Sequence, residues 1–240
     1  MNNREYLIPR DSVKINDTEF PTIWNGFRFG RPTDFFTYFN DFQDFTPAEW
    51  TVTVVGTGTQ IIVALRNGIL RLLNSAADND NINIQLSKAS GASLSASALQ
   101  ALSGKNLFFE TTLSINDATQ SDLVLGLIVS GSNDVVGTPP TDGIYFRKDD
   151  GDAQLDFVCV SGSNFSTAIN IGTIQTNTSI RLGFKLTGTD LVEYYVDDVK
   201  KGEFKSNITT ALLTPTFNIQ NGEAVAKQVL IDTLFVAQER

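Results

Sequence analysis

Two acidic runs are the first candidates for chemistry. Asp149, Asp150 and Asp152 stand around Gly151, and Asp78 and Asp80 alternate with Asn79 and Asn81. Such oxygen donors are what a calcium ion takes, but the run at 149 has no Glu at the twelfth position that an EF-hand loop requires. Aspartate, asparagine and glycine also build tight reversals, because they tolerate left-handed backbone and hydrogen-bond it locally. Both runs therefore read as polar turns.

Paired carboxylates for glycoside hydrolysis come next, since that reaction needs two acids facing each other across the scissile bond. Sandwich-fold glucanases set theirs on one strand at alternate positions, as E-x-D-x-E. Here Glu193 is followed at those positions by Tyr195 and Asp197, which makes no such string. Histidine is absent, which removes every catalytic arrangement built on a His base and every His-containing zinc site. No P-loop and no strand–G-x-G-x-x-G–helix unit occurs. The glycines and threonines of VVGTGTQ (54–60) and the two SGSN segments (130–133 and 161–164) read as loops. These residues lead to the expectation of a chain that is no enzyme, holds no metal and needs no cofactor.

The single cysteine, Cys159, lies in the apolar run LDFVCV and reads as a small core residue, so no intrachain disulfide forms. The formal charge of −9 repels phosphate, which argues against nucleic acid as a partner. No window approaches the apolar length of a membrane span, and the polar start MNNREYLIPRDSVKIND carries no secretory signal. The natural expectation is synthesis in the cytoplasm.

The elements that would position these residues are strands. Leu107, Phe109, Leu113 and Ile115 share one face of a period of two, with Glu110, Thr112 and Ser114 on the other. Ile180, Leu182, Phe184 and Leu186 alternate with Arg181, Gly183 and Lys185 in the same way. Ile82, Ile84 and Leu86 alternate with Asn81, Asn83 and Gln85, which predicts one buried face and one wetter face. Further strands are predicted at 50–55, 60–65, 68–73, 122–129, 143–148, 153–160, 192–197 and 229–237. KDDGDA, RNG, TGTD and VDDVKKG supply reversals between them. Only ASLSASALQALSG (92–104) offers a short helical stripe, and its serines weaken it. An all-β, two-sheet antiparallel jelly-roll sandwich follows, occupying residues 36–240.

Residues 1–35 differ. They show no sustained alternation, and Pro9, Pro21 and Pro32 interrupt them. They read as an extended N-terminal arm whose anchors fill pockets on another surface. Its partner-binding residues are expected to be Arg4, Tyr6, Arg10, Trp24, Phe27, Arg28, Phe29 and Arg31. The crowd of rings in FFTYFNDFQDFTPAEWTV is mostly Phe, without a polar handle, and reads as core packing rather than a sugar platform.

YFNDFQDFTPAEWTVT, DATQSDLVLGLIVSGSNDVV, TDGIYFRKDDGDAQLDFVCV, LVEYYVDDVKKGEF and FNIQNGEAVAKQVLIDTLFV together resemble a family of β-sandwich proteins from tailed-phage structural gene clusters. The arrangement is similar to the concanavalin/laminin-G jelly roll. The resemblance covers about residues 34–240 and carries no catalytic residue. It implies a structural virion protein, first of all a capsid decoration or cement protein on the head surface. The major capsid protein and further copies of itself, as a homotrimer, would then be its partners. The alternative is a lectin-like module on a tail or head fibre that binds glycans.

Overall fold

The computed structural model describes residues 34–63, 68–87 and 99–240. These form two antiparallel sheets closed face to face, a jelly-roll sandwich as expected. One sheet holds β1 (Phe35–Asn40), β3 (Gly58–Ile62), β4 (Leu70–Asn74), β6 (Asn106–Ile115), β11 (Ile180–Thr187), β12 (Leu191–Val196), β13 (Val199–Phe204) and β15 (Gln228–Glu239). The other holds β2 (Trp50–Val55), β5 (Asn81–Leu86), β7 (Ser121–Val129), β8 (Gly143–Lys148), β9 (Gln154–Ser161), β10 (Asn164–Thr173) and β14 (Leu213–Asn221). β15 is long enough to pair β4 with its first residues and β1 with its last, while β6 runs along its other edge.

Alternation sends one set of side chains from each sheet into a common core. Leu123, Leu125 and Leu127 of β7 meet Phe109 of β6 and Phe184 of β11 in one cluster. Rings fill its middle: Phe157 stacks on Tyr194 at 4.4 Å between centroids and meets Phe146 edge-on at 4.9 Å. Cys159 is fully buried there, and burial raises its thiol pKa well above the ordinary range. The segment read as core packing around Trp50 behaves so in part. Phe42 and Trp50 are buried, Phe36, Tyr38 and Phe45 pack against the core, and Phe39 stays 60% exposed.

The predicted reversals hold. β8 and β9 pair across the acidic turn, with Gly151 at φ +89°, and β11 and β12 pair across Gly188 at φ +64°. Asp197 and Asp198 both take left-handed backbone between β12 and β13. β3 and β4 pair as a hairpin, and only its tip, 64–67, lies outside the described residues.

Some expectations are corrected. Of the proposed helix, residues 99–104 are not helical: Leu99 makes an isolated bridge to Leu213, and 92–98 lie outside the described residues. Four strands, β1, β10, β13 and β14, fall outside the predicted set, and β13 takes up Val199–Gly202 of the VDDVKKG segment read as a reversal. β10 is an edge strand with a bulge between Ala168 and Gly172, so its alternation is broken and Ile169 is 70% exposed. β14 carries Pro215, which cannot donate to a ladder. Its pairing with β5 begins at Thr216, and the Leu86 carbonyl takes the Thr214 hydroxyl.

Candidate functional site

The eight residues assigned to the arm, Arg4, Tyr6, Arg10, Trp24, Phe27, Arg28, Phe29 and Arg31, lie outside the described residues. The acidic candidates are inside, and they make turns. Asp152 accepts the Gln154 N–H at 2.8 Å, and Asp149 pairs with Arg147 at 3.2 Å. Among the described residues, no three acidic or cysteine side chains gather as a metal site would need. Glu193 is held by Lys200 at 2.6 Å and Asp197 accepts the Arg181 N–H at 2.9 Å, so the two are engaged separately. A depression of about 260 Å³ lined by Thr112, Ser179, Arg181, Asp197 and Asp198 is shallow, and Arg181 and Asp198 pair across it at 2.6 Å.

The outer face of the seven-stranded sheet carries a different arrangement. The strand pattern that sends Ile82, Ile84 and Leu86 inward turns Asn81, Asn83 and Gln85 outward. β14 sets Thr216 opposite Gln85, Asn218 opposite Asn83 and Gln220 opposite Asn81. On the far side of β5, Thr53 stands beside Asn83. The result is a field of neutral amides and hydroxyls across three adjacent strands.

This face was expected to be wet, and it is not. Asn81, Asn83, Gln85, Thr216 and Asn218 are all buried, the last completely. The cover is the β7–β8 connection, residues 130–142, which folds back across the sheet as a strap. Asn83 donates its amide to the Ser132 carbonyl at 2.9 Å. Gln85 accepts the Gly131 N–H at 2.9 Å and donates to Val129 O and Thr216 Oγ1. Asn81 reaches Asp134 at 3.3 Å, and Thr53 reaches Asn133 at 3.4 Å. Val135 is the apolar anchor, packed on Val124, Ile128, Tyr145, Val158 and Val160.

Not every group in the row is satisfied. Asn218 donates to Asn81 Oδ1 at 2.8 Å, yet the Oδ1 atoms of Asn83 and Asn218 are buried with no hydrogen-bond partner. These two residues are direct cross-strand partners, so two unpaired acceptors stand together under the strap. A buried amide acceptor without a donor costs about 1–3 kcal/mol. On β8, across β7 from β14, burial pushes the Tyr145 phenol up to about 12, against a smaller opposing effect of Arg147, so it remains a neutral hydroxyl. Arg147, next to Val124 on this face, is engaged by Asp156 at 3.1 Å as well as by Asp149.

Sequence reasoning saw Asn81, Asn83 and Gln85 only as the wet side of a strand and SGSN (130–133) only as a loop. Three alternating amides in NINIQL were the available signal, because amides are poor strand formers and need a reason to stand in a row.

At one end of the sandwich a buried lysine holds two loops. Lys227 is almost inaccessible, and its ammonium meets Asp117 at 2.7 Å and Glu223 at 2.6 Å. Lys148 is equally buried and donates to the carbonyls of Thr119, Ser121 and Asp149. Burial disfavours its charge and lowers its pKa.

No protein-family model matches the chain, and no curated protein sequence does. Solved structures do match the fold. A protein of unknown function from Shewanella oneidensis, SO2946, is 16% identical with a TM-score of 0.55, covering 85% of this chain and 87% of its own. An endo-β-1,4-glucuronan lyase from Trichoderma reesei is 14% identical with a TM-score of 0.55, covering 83% of this chain and 94% of its own. The carbohydrate recognition domain of Emp46p is 10% identical with a TM-score of 0.53, covering 82% and 94%. At these identities the likeness is one of fold. It corrects the expectation of a chain that is no enzyme. That expectation weighed glycoside hydrolysis, His-based catalysis and phosphate loops, and a glucuronan lyase is built on the same sandwich.

Proposed function

We propose that this chain is a glycan-recognising β-sandwich module of a tailed-phage particle. The observation that carries the reading is the field of amides and hydroxyls on the outer face of the seven-stranded sheet, with the Oδ1 atoms of Asn83 and Asn218 left without donors. Sugar hydroxyls are both donors and acceptors, and side-chain amides match them with paired bonds. Tyr145 and the valines beside it give an apolar floor for the C–H face of a pyranose ring. Support also comes from the shared sandwich of the Emp46p carbohydrate recognition domain. The phage setting is supported by the sequence resemblance alone.

The test is titration of the full chain with a panel of soluble polysaccharides, beside the variant Asn83→Ala with Asn218→Ala. Binding by the parent and its loss in the folded variant are expected. A parent that binds no polysaccharide in the panel refutes the reading.

A second reading, a capsid decoration protein, is favoured by the Arg- and aromatic-rich residues 4–31 ahead of the sandwich. Here the arm would lie across the major capsid protein and the body would assemble as a homotrimer on the head surface. Copy number in purified particles separates the two readings: hundreds of copies belong to the shell and a handful to a tail. Deleting residues 1–32 abolishes particle binding under the second reading, and a truncated chain that still saturates particles refutes it.

A further inference from the structure

We infer that the strap at 130–142 is an internal competitor for the amide field, which must swing away before ligand enters, and that the ligand it yields to is an uncharged glycan. This rests on the glycan-recognition reading and adds to it a gate and the charge of the ligand.

The first argument is the mismatch between cover and floor. A connection that only had to adhere to a sheet would be matched by apolar side chains or by fully paired polar ones. Here Asn83 and Asn218 keep unpaired buried acceptors beneath it. The strap supplies main-chain carbonyls and N–H groups to the field, but it does not saturate it.

The second argument is where the strap is held. Its root is clamped: Val129 N–H bonds to Asp142 O at 3.0 Å, and Asp142 accepts the Thr209 hydroxyl at 2.6 Å. Gly131 and Ser132 are held at 2.9 Å by Gln85 and Asn83, and the tip beyond them is tied more loosely, by contacts of 3.3 and 3.4 Å from Asn81 and Thr53. Gly131, Asn133, Gly137, Thr138 and Pro139 are exposed, and Gly131 takes φ +85° just before the tip. Val135 is the main apolar attachment of that tip. A pivot at the root that lifts Val135 uncovers the amides and Tyr145 together.

The third argument is charge. Among the described residues, this face and its rim carry Asp122, Asp134 and Asp156; of the cations near them, Arg147 is already paired with Asp149 and Asp156, and Lys148 is buried with its ammonium on the Thr119, Ser121 and Asp149 carbonyls. A polyuronate would bring carboxylates to a site whose nearby cations are already taken. A neutral pyranose chain brings hydroxyls to the amides and apolar ring faces to Tyr145 and the valines, which is what the lifted strap leaves behind.

The experiment titrates the full chain and its Val135→Ser variant with a β-glucan, a galactomannan and dextran, and with alginate as the polyanion. Hydrogen exchange is followed on the parent with and without the bound polysaccharide. If the open form is a minor population of about 1–10%, loosening the anchor raises apparent affinity by about 10- to 100-fold. The Gly131 N–H of the parent, bonded to Gln85 while the strap is closed, should lose protection on binding. Parent and variant binding a neutral polysaccharide equally, with strap protection unchanged, overturns the gate while leaving glycan recognition intact. Preference for alginate overturns the neutral ligand. Should the variant not fold, the exchange of the parent decides alone. If neither protein binds any of the four, glycan recognition itself fails and the gate with it.

Discussion

Replacing Lys227 by Met removes one positive charge from between two carboxylates without removing volume. In the parent, burial raises the Asp117 pKa, but N–H groups of Gln120 and Thr119 and the Lys227 ammonium outweigh it and hold the carboxyl at about 2, against an ordinary 3.8. At 1.36 kcal/mol per tenfold change in proton affinity, that is worth about 2.5 kcal/mol of stability above pH 4. The N–H bonds survive in the variant, so part of this remains. Against it stands the cost of leaving Asp117 and Glu223 without a cation. A fully buried pair loses about 3–5 kcal/mol on such a change. Asp117 and Glu223 keep 28% and 43% of their side-chain surface, so the lower figure applies, about 2–3 kcal/mol. For a chain of this size that lowers Tm by roughly 5–10 °C. Because the folded pKa of Asp117 is depressed, its contribution is complete above about pH 4 and is lost as pH falls toward 2. The gap between parent and variant, read by circular dichroism melts at a series of pH values, should therefore narrow over that window. A gap below about 0.5 kcal/mol at pH 7, or one that stays constant down to pH 2, refutes the assignment of Lys227 as the clamp of the 117 and 223 loops.

Two further outcomes are expected. Gly126→Ala should cost about 3 kcal/mol or more, or prevent folding, because Gly126 sits at φ +151° and an added Cβ would lie 2.4 Å from the Ile144 carbonyl on β8; urea denaturation of the purified variant measures it. Cys159 should resist thiol reagents in the native protein and react only on unfolding, since it is fully buried and burial disfavours its thiolate; reactive-thiol counting with and without denaturant reads this.

The amide field also bears on why the face is closed in a chain proposed to bind a ligand there. The sheet can hold Asn, Gln and Thr in rows only if something satisfies most of their polar atoms. The strap does this for Gln85 and for one amide group each of Asn81 and Asn83. It leaves the remaining acceptors of Asn83 and Asn218 without donors, which under the proposed reading a hydroxyl-bearing ligand would supply.

The sequence by itself determined the class of fold, because period-two alternation and turn chemistry are local properties. Ile180–Leu186, the KDDGDA and VDDVKKG reversals and the buried Cys159 all stand as their neighbours in the chain dictate. Where a strand's surroundings are remote, the local signal misled. NINIQL has the pattern of a strand with one wet side, yet all six residues are buried, since the cover comes from residues about fifty positions later. β10 lost its alternation to an edge and a bulge, and β14 hid behind a proline that only its neighbours' geometry makes tolerable. The candidate site was illegible for the same reason. Which polar side chains meet, and what lies over them, is fixed by cross-strand register and by the path of a loop, and neither is encoded in the spacing of any single segment.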